Sequence, residues 1–112
     1  MKILDEIINK DTLVKTSTVV FDENMIKAVV DIERELIAID ANMHVDLEQL
    51  LLENGSRQED LWGINFHPEE EEFVEFDSMI NIKPRQNKHL YVDDEETRNR
   101  IIEVVNKWIS QD

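Results

Sequence analysis

The chain has 112 residues, 41% hydrophobic and 34% charged, the proportions of one folded domain with a heavily charged surface and not those of a disordered chain. Twelve Lys and Arg stand against 26 Asp and Glu, a net charge of −14, which excludes a sequence-independent grip on nucleic-acid phosphates and opposes binding to anionic membranes. Without Cys there is no disulfide framework, thiolate nucleophile or Cys-ligated metal, and without a signal-type or membrane-length apolar run the expected compartment is the cytoplasm.

The acidity is local. Residues 1–30 carry 4 basic and 5 acidic groups, residues 31–77 carry 2 and 15, and residues 78–112 carry 6 and 6. A negative field confined to one region attracts cations or a basic protein partner, whereas an even coat serves solubility, the plainer alternative. No linker, repeat or domain boundary interrupts the chain, so residues 1–112 are expected to form a single domain.

In chain order, Met1 to Ile8 reads equally as strand or helix, and Asp11 is placed to cap a short helix carrying Leu13 and Val14. Ile26 to Ile32 and Glu35 to Ile39 read as the strands of a first hairpin, with near-continuous apolar runs that suit strands covered on both faces. Its Glu33-Arg34 connection lacks the Asn-Gly or Asp-Gly pair of a primed turn. Asp46 to Asn54 has a capping residue, Leu47, Leu50 and Leu51 on one face, and Gly55 available for a left-handed C′ position. Asn54-Gly55 is also a hairpin signal, so a strand here is the rival to the helix. Leu61 to Phe66 and Phe73 to Ile82 predict a second hairpin around the Glu69–Glu72 run. The latter strand should set Val74, Phe76, Ile80 and Ile82 against Glu75, Asp77 and Asn81. Asp93 with Glu96 opens a C-terminal helix whose stripe is Ile101, Val105 and Trp108. The expected fold is α+β: an antiparallel sheet of about four strands with helices packed on one face, the C-terminal helix among them.

Candidate chemistry is sparse. Asp40, Asn42, His44, Asp46 and Glu48 place oxygen or nitrogen donors at every second residue, as in the first part of a calcium loop. Val45 stands where such a loop needs its glycine and Leu51 where it needs its bidentate Glu, so an ordinary EF-hand is excluded, and a helix start with a solvated loop is the plainer account. No cofactor is predicted; a divalent cation such as calcium, magnesium or zinc would draw on those residues, or on His44, Asp46 and His67, whose spacing does not bring them together. Glu75, Asp77 and Asn81 form an acidic strand face that Asp31 would join if the hairpins are neighbours; an exposed polar face explains it equally. Lys83, Arg85 and Lys88 form the basic cluster suited to an anion, with no Gly-rich phosphate cradle beside them.

The blocks Val29-Val30-Asp31-Ile32-Glu33, His44-Val45-Asp46, Leu50 through Ser56, Gln58 through Gly63 and Glu75 through Pro84 resemble a small family of uncharacterised archaeal and bacterial proteins, a domain of unknown function, over roughly residues 25–110. The resemblance implies no activity and no catalytic residue. The leading expectation is a non-enzymatic binding or regulatory module that presents its acidic region, residues 31–77, to a basic protein partner or to cations. The alternative is a small divalent-metal-dependent, hydrolase-like enzyme using His44, Asp46, Asp77 and Asn81. A homo-oligomer through an edge strand is the further possibility.

Overall fold

The computed structural model describes residues 1–111, in the order β1 (Lys2–Ile3), β2 (Ile8–Asn9), α1 (Lys10–Thr16), β3 (Ile26–Asp31), β4 (Leu36–Ile39), α2 (His44–Glu53), β5 (Leu61–Phe66), β6 (Val74–Glu75), α3 (Glu95–Trp108) and β7 (Ile109–Ser110). Five strands form an antiparallel sheet in the order β1-β4-β3-β5-β6, while β2 and β7 pair in parallel as a separate ribbon. The α+β class, the antiparallel sheet and the C-terminal helix are as the sequence predicts. The sheet has five strands where about four were expected, because β1 adds itself to β4 through Lys2 opposite Ile39 and Ile3 opposite Ala38.

The β-branched run of β3 sits at the centre, Val30 facing Ile37 on one side and Trp62 on the other. Alternation then divides the apolar residues between two faces. Ala28, Val30, Ile37, Ile39, Trp62, Ile64 and Phe66 pack with Leu13 of α1 and Ile101, Val104 and Val105 of α3. Val29, Ala38 and Leu61 point the other way, against Leu47 and Leu51 of α2. Helices therefore cover both faces of the sheet where one was expected, as strands apolar on both sides require. Each fully buried Leu, Ile or Phe contributes about 1.5–3 kcal/mol, so neither face of such strands is left to water.

The first hairpin turns without a primed Asn-Gly because buried Asp31 does the turning. Its Oδ1 accepts from Glu33 N at 2.9 Å and Arg34 N at 2.8 Å, and its Oδ2 from Ser56 Oγ at 2.6 Å. Glu35, at φ 56, supplies the left-handed residue that reverses the chain. At the end of α2 the helix prevails over the hairpin. Gly55 takes φ 103, its N donates to Leu52 O at 3.1 Å, and Ser56 N donates to Leu51 O at 2.9 Å, the double bond of a Schellman ending.

Helix starts differ from expectation by one to three residues. Asn9 Oδ1, not Asp11, caps α1 through Thr12 N at 2.8 Å. Asp94, not Asp93, caps α3 by accepting from Thr97 N at 2.9 Å and Thr97 Oγ1 at 2.7 Å. Asp46 lies inside the first turn of α2, which starts at His44 after Met43 with no side-chain cap. Capping-type residues that stand close together, Asn9 with Asp11 and Asp93 with Asp94, leave the start open by a residue or two, whereas α2 begins without any side-chain cap.

The expected strand from Phe73 to Ile82 is cut short after Glu75, and Asn81, placed by the sequence on a polar strand face, is instead fully buried in a 3-10 turn at Met79–Asn81. Its carboxamide pairs with the backbone of Gly63 as another strand would: Gly63 N donates to Oδ1 at 2.8 Å and Nδ2 donates to Gly63 O at 2.9 Å. Nδ2 also reaches Phe76 O and Leu90 O, both at 3.1 Å. A second carboxamide, Asn87, donates to Asn81 O, His89 O and Tyr91 O within 3.0 Å and accepts from Asp93 N at 3.1 Å. Two asparagines thus organise residues 76–93 from inside.

Candidate functional site: two clefts that share Asp77

Two clefts share Asp77 in their lining. The first, of about 360 Å3, lies where the start of α2, β5 and the Met79–Asn81 turn converge. Met25, Met43 and Met79, three of the four methionines of the chain, line it with Val45, Ile80 and Leu90. Met79 is 72% exposed and Met43 57%, so flexible thioether side chains are held in water around a concave surface. The polar lining is Lys27, His44, Asn65, Asp77 and Ser78.

Strand pairing puts Lys27 opposite Asn65. His44 reaches the same place from the first position of α2, its Nε2 bonded to Ile64 O at 2.8 Å. A carbonyl only accepts, so Nε2 carries the hydrogen and the lone pair of the neutral ring is on Nδ1. Burial pushes the imidazole pKa down and the Lys27 charge adds to this, while hydrogen bonds to Ile64 O and to the Asn65 side chain oppose it only in part. Asn65 is held by donation from Nδ2 to Glu75 Oε1 at 2.8 Å and to Asp77 O at 3.3 Å. Both partners are acceptors, which fixes the amide orientation and leaves Oδ1 buried beside the His44 ring without a well-formed hydrogen bond. An unmet buried acceptor costs about 1–3 kcal/mol, the kind of deficit associated with functional sites.

The second cleft, of about 750 Å3, lies between β6 and α3. Glu70, Glu72, Glu75 and Asp77 line it above Phe73, Phe76, Ile102 and Val105. His67 stands between two carboxylates, its Nε2 3.2 Å from Glu75 Oε1 and its Nδ1 3.5 Å from Glu70 Oε2. Hydrogen bonds from Asn65 and then from His67 hold the Glu75 carboxyl below the usual glutamate range. Arg98 crosses the floor with its guanidinium carbon 5.1 Å from the Phe76 ring and Nε donating to Val92 O at 2.6 Å.

The residues suggested by the sequence are distributed as follows. Asp40 is a loop staple: its carboxylate accepts from Thr18 N at 2.7 Å, Val19 N at 2.8 Å and Thr18 Oγ1 at 3.0 Å. Partial burial works against its charge, but these bonds outweigh it and hold the carboxyl below its usual range. Asn42 and Asp46 are exposed, and Glu48 is half-buried with Oε2 unpaired. Among the described residues no three His, Asp or Glu side chains converge to hold a metal ion. His44 and Asp77 do line one cleft, whereas Asn81 is committed to Gly63 and Asp31 to its turn. Glu75 and Asp77 line the acidic cleft together.

The basic cluster is divided. Lys83 is buried, its Nζ donating to Gln58 O at 2.9 Å and standing 5.0 Å from the Trp62 ring centre, while Arg85 and Lys88 are exposed. Burial pushes the Lys83 pKa down, against the pull of Glu48 and Asp60. No helix among the described residues is long and apolar enough to cross a membrane.

Asn65, Lys27 and the methionine rim escaped the sequence reading. The available signal was a carboxamide in the polar phase of a buried strand, between Ile64 and Phe66, where alternation alone would suggest only an outward-facing residue. No curated protein and no solved structure matches the chain. A family model does match, over residues 2–108, and the chain belongs to that family, described as a protein of unknown function (DUF5674).

Proposed function

We propose that the protein is a non-enzymatic binding module that receives a basic, partly apolar segment of a protein partner in the cleft between β6 and α3. One observation carries this reading: four carboxylates, Glu70, Glu72, Glu75 and Asp77, line a single cleft with an aromatic and aliphatic floor. A Lys or Arg can lay its methylene stem on that floor and place its head among the carboxylates. Two of the chain's own cations already stand over the aromatic rings of this floor, Arg98 at 5.1 Å from Phe76 and Lys10 with Nζ 4.6 Å from the Phe73 ring centre. The excess of acidic groups in residues 31–77 supplies a field that steers a basic partner to this face.

The test is an amide NMR titration with a peptide of alternating Lys and Leu, at low and near-physiological salt. Saturable shifts along residues 70–77 and 98–106 are expected, weakened about tenfold or more when Glu70→Lys and Glu72→Lys are combined, and weakened by added salt. Affinity indifferent to this charge reversal, or shifts confined to other surfaces, would reject the acidic cleft as the docking face.

A further inference from the structure

The acidic cleft calls for a basic, partly apolar segment, and the same chain presents one. Arg85 and Lys88 are exposed, and among the described residues neither side chain makes a hydrogen bond or an ion pair. Exposed Ile82 and Leu90 flank them. By contrast Arg34, Arg57, Arg98, Arg100 and Lys107 are engaged within the fold. The loop is built as a fixed projection. Lys83 and Asn87 pair across it, Lys83 N donating to Asn87 O at 2.8 Å, Arg85 takes φ 70 at the turn, and both paired residues are buried. Much of the ordering cost of docking is thereby met before a partner arrives.

Loop and cleft adjoin. The His89 ring stacks on Tyr91 with centres 5.1 Å apart, and Tyr91 belongs to the cleft lining, where its backbone pairs with Asp77. A projection and a complementary recess side by side let two copies exchange loops about a two-fold axis, so that each contact is made twice. We infer that the partner received by the acidic cleft is a second copy of this chain, whose loop sets Arg85 and Lys88 among Glu70, Glu72, Glu75 and Asp77, and which receives a loop in return. The inference rests on the reading of that cleft as a docking face. The net charge of −14 opposes association of copies at low salt. At about 0.15 M salt the screening length is about 8 Å, so repulsion between distant charges fades while contacts inside the cleft persist.

Sedimentation velocity at about 0.15 M salt, over about 10 µM to about 1 mM chain, tests the inference. A concentration-dependent dimer is expected. Arg85→Glu combined with Lys88→Glu should weaken it at least about tenfold, and so should Glu70→Lys combined with Glu72→Lys, all at exposed positions. The second pair makes the chain less negative and relaxes the general repulsion between copies, so weaker association there traces to the local contact. Mixed together, the two double variants should form a heterodimer at least about tenfold tighter than either forms with itself, because the reversed loop now meets the reversed cleft. A chain that stays monomeric, a dimer indifferent to Arg85 and Lys88, or a mixture no tighter than its components overturns the inference. The titration with the Lys and Leu peptide separates the two readings: peptide bound along residues 70–77 by a chain that stays monomeric keeps the cleft as a docking face and assigns it to a different basic protein.

Discussion

Asn65 Nδ2 donates to Glu75 Oε1 at 2.8 Å, and the same carboxylate oxygen lies 3.2 Å from His67 Nε2. One oxygen on the edge strand therefore anchors the base of the methionine cleft and the wall of the acidic cleft. It also decides which atom of Asn65 is left over, because a carboxylate can only accept.

Glu75→Gln tests that anchor. Its side chain is 48% exposed, so solvent screens the interaction, and the expected loss at neutral pH is about 1 kcal/mol or less. The Asn65 and His67 bonds lower the carboxyl pKa in the folded state. The stabilisation is thus complete above the ordinary glutamate value of 4.5 and drains away as pH falls from there through the lower folded value. Urea unfolding of both proteins should show a gap at pH 7 that narrows as pH falls below 4.5. A gap that stays constant with pH would mean that the charge of Glu75 is not what matters.

His44 acts in a different window. Burial lowers its pKa, so below the ordinary imidazole value of 6.5 the unfolded chain takes up a proton that the folded one resists. Stability is full above that value and falls as pH drops from it toward the folded value. His44→Gln keeps a donor for Ile64 O and removes the titration. Between about pH 7.5 and pH 5.5 the unaltered protein should lose urea resistance that the variant retains. Equal losses in the two proteins would place the acid sensitivity elsewhere.

The central strands were legible because Ile26 to Ile32, Leu36 to Ile39 and Leu61 to Phe66 carry their own local signal, β-branched and aromatic runs too apolar to face water. α2 was legible through Leu47, Leu50 and Leu51 on one face with Glu48 and Gln49 on the other, whereas Gly55, which ends it at positive φ, signals a hairpin as readily. What escaped depends on partners distant in sequence. Nothing in Phe73 to Ile82 says that Asn81 will take the edge of β5 at Gly63, so an unbroken strand was the natural reading of that alternation. Lys83 looks like a surface cation until Gln58 and Trp62 close over it. Asn65 becomes a candidate site only once Glu75 and Asp77 have claimed its amide hydrogens.

Asn87→Ala should destabilise strongly. Its Nδ2 serves the carbonyls of Asn81, His89 and Tyr91, and its Oδ1 serves Asp93 N, all at a residue only 4% exposed. Removing the carboxamide strands several of these groups away from water, at about 1–3 kcal/mol for each one left unmet. A loss of about 3 kcal/mol is expected, with amide exchange quickening first over residues 76–93. A loss below about 1 kcal/mol would mean that water replaces the side chain readily.

Gly63→Ala probes the contact that ends β6. A Cβ at Gly63 would sit 2.5 Å from both Cβ and Oγ of Ser78 and 3.1 Å from Ile80 Cγ1. Ser78 belongs to the backbone-anchored start of the Met79–Asn81 turn and cannot swing aside as a long side chain would; the turn itself must retreat from β5. That retreat stretches the two bonds between Asn81 and Gly63, so overpacking of about 1–3 kcal/mol is compounded by weakened hydrogen bonds. A total near 3 kcal/mol is expected by urea unfolding, and adding Ser78→Gly should recover part of it by deleting the atoms that collide. If Gly63→Ala is neutral, or Ser78→Gly gives no relief, the close approach of this turn to β5 is not what holds residues 76–82 out of the sheet.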